Sequence, residues 1–317
     1  MKSFSISRRE FLGRGALAAG VLALGAGATP IPLMAEASAG TAPATGAAKR
    51  TATDLVALGS TGLMLSRMGI GTGSNNGSTQ LAAGTEGFNK LIKYAFDQGI
   101  TYIDTAPTYR TFGLIKDAIK GLPREKLFIL SKVEDAQRGD VLKEIDRHRT
   151  TFGVDYVDCM LVHIQVKATW TDDWKKAMDG FLEAQEKKWI KSRGVSCHSL
   201  PALRAAVTSD FNQVHLVRVN PQGVRVDGER ETSWENGSPK YDIAPVVAEL
   251  KAMKEKKRGV IGMKIMGNGE FQTDEDRIKS VKYAMARPEI DAVVIGCKNT
   301  DEIDKGIKWI NAALAEA

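Results

Sequence analysis

The sequence contains few cysteines and few histidines. Its 317 residues include four histidines and three cysteines, Cys159, Cys197 and Cys297. The cysteines lie far apart and in no CxxC or Cys/His spacing, so the sequence predicts no structural metal and no iron–sulfur cluster. Their odd number also argues against a framework of disulfides.

The sequence also lacks the clusters of like charge that mark nucleic-acid-binding proteins. The formal net charge is +6, with basic residues scattered among acidic ones. One basic run, Lys254-Glu-Lys-Lys-Arg258, stands at the end of an amphipathic helical segment, where cations are favourable. We therefore expect no nucleic-acid partner. The hydrophobic fraction of 43% and the charged fraction of 26% are typical of a soluble globular protein.

No stretch is a convincing membrane span, because the apolar run Gly15–Gly27 is short and rich in glycine. That run follows the pattern Ser7-Arg-Arg-Glu-Phe-Leu12 and precedes small-residue cleavage sites at Ala37 and Ala39. The arginine pair, the apolar run and the cleavage sites follow one another as in a twin-arginine (Tat) export signal, which this segment resembles. It predicts the Tat machinery as a partner, a periplasmic or otherwise exported location, and no stable membrane span after cleavage. An uncleaved anchor is the alternative.

The chain divides into three parts on this interpretation. Residues 1–39 are predicted to be the signal peptide, and residues 40–53, rich in Ala, Thr and Gly, a flexible linker that belongs to no fold. Residues 54–317 are predicted to form one α/β domain.

Strand-like and helical segments alternate eight times from residue 68 onwards. The predicted strands are 68–72, 100–104, 126–132, 156–163, 190–196, 213–220, 259–264 and 290–296. The predicted helices are about 86–98, 112–120, 138–152, 171–188, 200–208, 242–257, 274–286 and 300–314. Eight repeats favour a (β/α)8 TIM barrel over an open sheet, and a Ser-Thr-Gly turn within Leu58–Arg67 predicts an N-terminal β-hairpin.

Polar residues recur where the predicted strands end, which is where such barrels carry their functional groups. Tyr109 follows one strand end within the stretch Thr101–Arg110. Each residue also has a structural interpretation, for example an exposed lysine or a core histidine. The residues at or near strand ends are Asp104, Lys132, His163, Ser196, Asn220 and Lys264.

These motifs resemble those of the aldo-keto reductase superfamily over essentially all of residues 54–317. The resemblance implies a catalytic tetrad of Asp104, Tyr109, Lys132 and His163, a nicotinamide nucleotide in extended form across the rim, and no metal. It also implies a small carbonyl or alcohol substrate, such as an aldehyde, a ketone or a sugar. The matching segments are Leu58-Gly-Ser-Thr-Gly62, Gly69-Ile-Gly-Thr72, Gly99–Tyr109, Ser131-Lys132, Val162-His163 and Gly194-Val-Ser196.

Hydride transfer explains why these residue types are needed. A carbonyl that receives hydride develops charge on its oxygen and requires a proton donor. A free phenol ionises near pH 10, so the Lys132 cation is expected to favour the Tyr109 phenolate, with Asp104 holding the lysine. Tyr109 is then the predicted proton carrier, and His163 is expected to orient the substrate oxygen.

The resemblance also implies a set of residues that bind the cofactor. Ser196 and Asn220 are expected at the nicotinamide carboxamide, although Cys197 stands where asparagine is usual. Met263 replaces the usual stacking aromatic, and Lys264 is expected to meet the pyrophosphate. The full set is Gly71, Thr72, Asp104, Ser196, Cys197, Asn220, Met263, Lys264, Met266, Gly267, Gly296 and Lys298.

The choice between NADP(H) and NAD(H) depends on the last turn of the barrel. Lys298 stands where a cation meets the 2′-phosphate, whereas Glu302 stands where many NADP-dependent members keep a cation. Gly306 replaces an asparagine often used for adenine. Taken together, these residues slightly favour NADP(H) over NAD(H).

Arg218 is the main departure from the family pattern. It shares strand parity with Asn220 and is expected to point into the barrel, where an unpaired cation is costly. We therefore predict that Arg218 pairs with a buried acid or holds an anionic group near the rim.

The loops that should set specificity, about 73–85, 164–174 and 221–241, carry no recognisable code. Their tryptophans, Trp170, Trp174 and Trp234, are candidates for stacking on sugar rings or for packing. The departures at Cys197, Met263 and Gly306 leave one alternative function, a non-catalytic nucleotide- or sugar-binding barrel that retains the tetrad as scaffold.

Overall fold

Eight parallel strands close a barrel in the computed structural model, which describes residues 49–134, 140–233 and 239–317. An antiparallel hairpin of β1 (Leu55–Ala57) and β2 (Met64–Ser66) precedes the barrel. Strand β10 pairs with both β9 and β3, which closes the sheet. The predicted TIM barrel with its N-terminal hairpin is therefore confirmed. The barrel strands are β3 (Met68–Gly71), β4 (Tyr102–Asp104), β5 (Phe128–Val133), β6 (Val157–Gln165), β7 (Ile190–Cys197), β8 (Val214–Arg218), β9 (Gly259–Met263) and β10 (Ala292–Ile295).

Helices follow the strands on the outside of the barrel. They are α1 (Gly84–Asp97), α2 (Ile115–Ala118), α3 (Val141–Phe152), α4 (Trp170–Asp173), α5 (Lys175–Glu186), α6 (Leu200–Thr208), α7 (Ala244–Glu255), α8 (Asp274–Met285) and α9 (Thr300–Glu316). Short 3₁₀ turns cover Phe112–Leu114, Arg124–Lys126 and Gly267–Gly269. Side-chain caps fix the first residue of several helices. The Asp140 carboxylate, for example, precedes α3 and accepts hydrogen bonds from the backbone N–H groups of Leu142 and Lys143.

The predicted single helix 171–188 is two helices in the structure. Trp174, with φ −99° and ψ 2°, separates α4 from α5. The break allows both Trp170 and Trp174 to be buried, and the Trp170 indole Nε1–H donates to the Ala202 carbonyl oxygen at 3.1 Å. These two tryptophans therefore pack in the fold, whereas Trp234 lies outside the described residues.

Side chains alternate between two cores, as the period of a strand requires. Tyr102, Leu130 and Leu161 belong to the cluster inside the barrel. Ile129 and Val162, one position away on their strands, belong to the cluster between the sheet and the helices. Because both faces of every strand are covered, the strands read as nearly continuous apolar runs.

The hairpin closes the end of the barrel at which the strands begin. Ser66 Oγ accepts from the Thr101 backbone N–H at 2.9 Å, and the Gly59 N–H donates to Asp291 Oδ2 at 3.1 Å. Leu58 and Leu65 of the hairpin join the inner cluster. The interior is thus apolar at this end, and its polar residues lie at the opposite, carboxyl-terminal rim.

The folded unit begins before the predicted linker ends. Ala52 is buried, its N–H donates to Asn311 Oδ1 at 2.7 Å, and its carbonyl oxygen accepts from the Met68 N–H at 2.8 Å. The linker prediction is therefore wrong for residues 51–53, because a linker rich in small residues and the start of a packed segment have similar composition. Residues 1–48, which carry the predicted signal and the rest of the linker, lie outside the described residues.

The three cysteines are all buried and free. Across the three described ranges, no three His, Cys, Asp or Glu side chains are grouped so as to hold a metal ion. Within the same ranges, no helix is both long enough and apolar enough to cross a membrane.

Candidate active site

A cavity of about 910 Å³ opens at the carboxyl-terminal rim of the barrel. Asp104, Tyr109, Lys132 and His163 all line it, although they come from three different strands and one loop. The parallel topology makes this possible, because β4, β5 and β6 all end at this rim. Asp104 pairs with Leu130 and Lys132 with Leu161, so Lys132 and His163 each lie two residues beyond those register partners.

Asp104 and Lys132 form a buried ion pair. Lys132 Nζ lies 2.7 Å from Asp104 Oδ1 and also donates to the Thr105 carbonyl oxygen at 2.9 Å. Lys132 is 1% exposed, so its ammonium depends on these acceptors for its stability. The second carboxylate oxygen, Asp104 Oδ2, accepts from the Tyr102 hydroxyl at 3.4 Å. The pair is therefore held rigidly at the rim.

Tyr109 lies over this ion pair. Lys132 Nζ is 5.2 Å from the centroid of the Tyr109 ring, and the His163 ring stands edge-on to it at 6.2 Å. Burial, followed by the carboxylates of Asp104 and Glu134, raises the pKa of Tyr109 well above its ordinary value. The net direction is opposite to the one expected from the Lys132 cation alone, because burial disfavours an anion and the Asp104 and Glu134 carboxylates add negative charge. The expected role of Lys132 in stabilising the phenolate stays a prediction.

His163 is held by Glu134, a residue that the sequence analysis missed. His163 Nδ1 lies 3.0 Å from Glu134 Oε1, which also accepts from the Thr108 hydroxyl at 2.6 Å. Burial lowers the pKa of His163 to about 4, against the opposing effect of the Glu134 carboxylate. One signal was available: Glu134 is two residues beyond Lys132 and shares its strand parity.

Seven of the predicted cofactor-binding residues line the cavity, and five do not. Those that line it are Gly71, Asp104, Met263, Lys264, Met266, Gly296 and Lys298. Those outside the lining are Thr72, Ser196, Cys197, Asn220 and Gly267. Leu216, at the place where many family members have glutamine, is also part of the lining.

The five residues outside the lining have different surroundings. The Thr72 hydroxyl donates to the Asp104 carbonyl oxygen at 2.9 Å and so ties β3 to β4. The Asn220 side chain donates to the Val224 carbonyl oxygen at 2.7 Å and accepts from the Val224 N–H at 3.1 Å, so it holds a turn. Gly267 is buried against Phe271.

The prediction for the Cys197 side chain is wrong. Cys197 belongs to the core between the sheet and the helices, on the opposite face of β7 from Ser196. Burial, with a further contribution from Asp227, raises the pKa of its thiol. Strand alternation alone separates the two neighbours, since only one of them can point into the barrel.

Ser196 fits the predicted contact with a carboxamide better than its neighbour does. Its side chain is fully buried, and within the described residues its hydroxyl has no hydrogen-bond partner. An unpaired buried hydroxyl is costly and is normally satisfied by a ligand, water or protein group. The unpaired hydroxyl is fully buried and does not line the cavity, so its expected contact with a carboxamide stays a prediction.

Lys264 brings a positive charge to the wall of the cavity. Its backbone is left-handed, with φ +59°, and its Nζ donates to Asn268 Oδ1 at 2.9 Å. Burial, together with Arg218 and Arg225, lowers the pKa of Lys264 to about 8. A bound anion would raise this pKa and gain a contact with the ammonium.

The outer part of the cavity carries paired charges. Glu302 accepts from the Lys298 backbone N–H at 2.8 Å and lies 3.3 Å from Lys298 Nζ. Asp274 pairs with Arg277 at 3.0 Å and with Lys305 at 3.2 Å. Both cations paired with Asp274 line the cavity, as do Phe271 and Trp309. The charges and aromatic rings at this end suit a phosphorylated nucleoside.

Arg218 pairs with a buried acid, as predicted. Its Nε donates to Asp227 Oδ1 at 2.6 Å, and both side chains are buried. The guanidinium also donates to the carbonyl oxygens of His198 and Ser233. Burial raises the pKa of Asp227 to about 6, although Arg218 opposes the shift. The pair anchors the long loop after β8 to the barrel rim.

A protein-family model that matches about half of the chain shows the family. Residues 67–227 match the model of the aldo/keto reductase family. The chain is 30% identical over 131 residues to a 9,11-endoperoxide prostaglandin H2 reductase of Trypanosoma cruzi, covering 39% of this chain and 46% of that protein. It is 30% identical over 105 residues to a glycerol 2-dehydrogenase (NADP(+)) of Saccharomyces cerevisiae, covering 32% and 31%. The chain thus spans less than half the length of these curated relatives.

Solved structures share the fold. The aldo-keto reductase AKR11C1 of Bacillus halodurans, in its holo form, superposes with a TM-score of 0.64 at 14% identity, over 83% of this chain and 96% of that one. The thermostable aldo-keto reductase Tm1743 gives 0.60 at 20% identity, over 83% and 99%. The fold, the family model and the geometry of the rim agree: the chain belongs to the aldo/keto reductase family.

Proposed function

We propose that this protein is a NAD(P)-dependent oxidoreductase that interconverts a carbonyl and an alcohol by hydride transfer. The observation that carries the proposal is the buried Asp104–Lys132 ion pair, 2.7 Å long, beside Tyr109 and His163 in one cavity. The names of the relatives, a reductase and a dehydrogenase, support the same class of reaction. The bound nucleotide would supply or accept the hydride.

The side chains at the rim would manage the proton. Tyr109 carries a phenol proton at neutral pH, because its pKa is raised, and would donate it to the oxygen of a carbonyl under reduction. In the reverse direction the phenolate must form, and Lys132 Nζ, 5.2 Å from the ring centroid, is the cation that would stabilise it. Asp104 would keep that ammonium in place.

The cofactor would lie along the lining from the tetrad to the outer end of the cavity. Ser196 would meet the carboxamide, Met263 would pack on the nicotinamide, and Lys264 would meet the pyrophosphate. Gly71, Met266 and Gly296 complete the wall.

We propose NADP(H) in preference to NAD(H). Lys298, Lys305 and Arg277 line the outer end, against the carboxylates of Glu302 and Asp274. The excess of cations over carboxylates leaves that end positive, which favours the additional 2′-phosphate.

We also propose that the protein is exported by the Tat route and acts in the periplasm. The pattern Ser7-Arg-Arg-Glu-Phe-Leu12 and the apolar run after it support this location. A nucleotide bound before export would have to stay bound and be recycled in place. Mass spectrometry of the natively exported protein should find a bound dinucleotide. The double variant Arg8→Lys with Arg9→Lys should stay in the cytoplasm. Cytoplasmic protein in unaltered cells would contradict the export proposal.

The Tyr109→Phe variant tests the enzymatic function against the non-catalytic alternative. An enzyme should lose at least about a hundredfold in turnover with a carbonyl substrate while its affinity for the nucleotide is unchanged, because the proton carrier is lost. Tyr94→Phe is the matched control: the Tyr94 hydroxyl donates to Asp304 at 2.7 Å, and Tyr94 does not line the cavity. A Tyr109→Phe protein with the turnover of the control would refute the proposal.

A further inference from the structure

The outer end of the cavity follows one face of α9. Glu302, Lys305 and Trp309 line it at spacings of three and four residues, which places them on the same side of the helix. The helix rises about 10 Å from the first of these positions to the last, so the cavity continues well past the Lys298–Glu302 pair. Trp309, half-buried against the core, is the side chain farthest along this face that lines the cavity.

Gly306 has no side-chain group with which to bind a base. It stands where an asparagine is often used for adenine. It is buried, it lies outside the cavity lining, and a β-carbon there would be 2.7 Å from Met68 Cε. The close approach of α9 to Met68 therefore leaves little room for a side chain that reads adenine at this position.

The cations at the outer end can donate hydrogen bonds but cannot accept them. Lys305 and Arg277 both line the cavity, whereas Asp274, which pairs with them at 3.2 and 3.0 Å, lies outside the lining. Within the described residues, Glu302 is the one carboxylate that lines this end, and it accepts from the backbone N–H of Lys298 and pairs with its ammonium. A base beside the indole would therefore meet an aromatic face and, at its edge, hydrogen-bond donors.

We infer that the purine base of the nucleotide stacks on Trp309 and is not recognised through its 6-amino group, so that the site accepts a 6-oxopurine as well as adenine. The inference rests on the proposed function. Stacking on an aromatic ring tolerates different bases, because every base has a π-face. The 6-amino group of adenine is a donor and would face the donors of Lys305 and Arg277, whereas the 6-oxo group of hypoxanthine would accept from them.

Trp309→Leu tests the stacking contact. Calorimetric titration of the full chain should show NAD(H) and NADP(H) binding about tenfold more weakly, because the base loses its aromatic contact. Trp189→Leu is the matched control: Arg149 lies over the Trp189 ring at 4.7 Å, and Trp189 does not line the cavity. Unchanged affinity in Trp309→Leu, or the same loss in both variants, would overturn the inference.

The stacking contact can also be observed without the nicotinamide. Adenosine 2′,5′-bisphosphate should quench part of the indole fluorescence of the unaltered protein and of Trp189→Leu, and it should leave Trp309→Leu unquenched. The protein has five tryptophans, so the comparison of the variants assigns the quenched ring. No quench in the unaltered protein, or a quench that persists in Trp309→Leu, would place the base elsewhere and overturn the inference.

The recognition of the base is tested with NAD⁺ and nicotinamide hypoxanthine dinucleotide, which differ at position 6 of the purine. We expect the two to bind the unaltered protein within about threefold of each other, and a larger preference for NAD⁺ would overturn the inference. Lys305→Glu places an acceptor at the edge of the base and should create a preference for NAD⁺ of about fivefold. The ratio is taken within one variant, so a general loss of affinity cancels, and an unchanged ratio in Lys305→Glu would also overturn the inference.

Binding and turnover distinguish a failure of this inference from a failure of the proposed function. Equal binding of the two dinucleotides without turnover of any carbonyl or alcohol would refute the proposed reaction and support the base specificity. Turnover together with a strong preference for NAD⁺ over the hypoxanthine dinucleotide would overturn only the inference. Failure of every dinucleotide to bind would refute both.

Discussion

The ring of Tyr109 lies directly against Gly73. A β-carbon on Gly73 would be 2.3 Å from Tyr109 Cε2, closer than two carbon atoms can approach. Gly73 belongs to the loop after β3, and Tyr109 belongs to the loop after β4. The position of the phenol above Lys132 therefore depends on the absence of a side chain at residue 73.

The Gly73→Ala variant should displace the Tyr109 ring and lower kcat/KM at least about tenfold, because a misplaced catalytic group loses its near-attack geometry. Steady-state kinetics and nucleotide titration would check this, and nucleotide affinity should change little. Gly113→Ala is the control, since a β-carbon at residue 113 meets no atom within 4 Å. Equal kcat/KM in both variants would show that the ring tolerates the added methyl group.

Removing the charge of only one partner of the Asp104–Lys132 pair should destabilise the fold. Asp104→Asn leaves a buried ammonium without its counter-charge, and we expect the free energy of unfolding to fall by about 3–5 kcal/mol. The double variant Asp104→Asn with Lys132→Met removes both charges and should recover part of that loss. Urea denaturation is measured for the unaltered protein, for the Asp104→Asn and Lys132→Met single variants and for the double variant. If the double variant is destabilised by the sum of the two single effects, the two residues are not coupled.

Glu302 should restrict the affinity for NADP(H). Its carboxylate lies 3.3 Å from Lys298 Nζ and accepts from the Lys298 N–H at 2.8 Å, so it competes with a 2′-phosphate for the same cation. Glu302→Gln should tighten NADP(H) binding about fivefold relative to NAD(H), measured by calorimetric titration. Glu316→Gln, which removes the partner of Lys282 on the outer surface, is the control. An unchanged ratio of the two affinities would place the 2′-phosphate away from Lys298.

The barrel could be predicted because its strands are covered on both faces and alternate eight times with helical segments. Asp104, Lys132 and His163 share the inward parity of β4, β5 and β6, so the topology alone brings them to one rim. The same parity argument excludes Cys197, and applying it strictly to β7 would have prevented that error.

Contacts made through loops could not be predicted from the pattern. Asp227 reaches Arg218 from a segment whose course no periodicity specifies. Glu134 shares the strand parity of Lys132, but it lies beyond the end of β5, so parity alone does not specify its contact with His163. The direction of the pKa shift of Tyr109 could not be predicted from the sequence either. It depends mainly on how deeply the side chain is buried, and not on which charged residues are neighbours in the chain. Ala52 was assigned to a linker for a similar reason: its partner, Asn311, is at the other end of the chain.

His215 is a buried histidine outside the site. It lies on the outer face of β8, next in sequence to the inward-facing Leu216, and within the described residues neither ring nitrogen has a hydrogen-bond partner. Burial, with the nearby charges of Arg258 and Lys256, lowers its pKa to about 3 from 6.5. As the pH falls, the His215 imidazole is therefore protonated in the unfolded chain at a higher pH than in the folded protein. Stability from this residue is complete above about pH 6.5 and is lost progressively towards pH 3, by roughly 5 kcal/mol in all.

Replacing His215 with leucine should remove this dependence, because leucine fills a similar volume and binds no proton. We expect the acid-unfolding midpoint, followed by circular dichroism, to move to lower pH, with stability at pH 7 unchanged or higher because two unpaired buried nitrogens are gone. His148→Leu is the contrasting variant: His148 Nδ1 lies 2.9 Å from Ser131 Oγ, so its loss should destabilise the protein at neutral pH as well. An acid midpoint in His215→Leu identical to that of the unaltered protein would show that other groups, such as His163, control unfolding in acid.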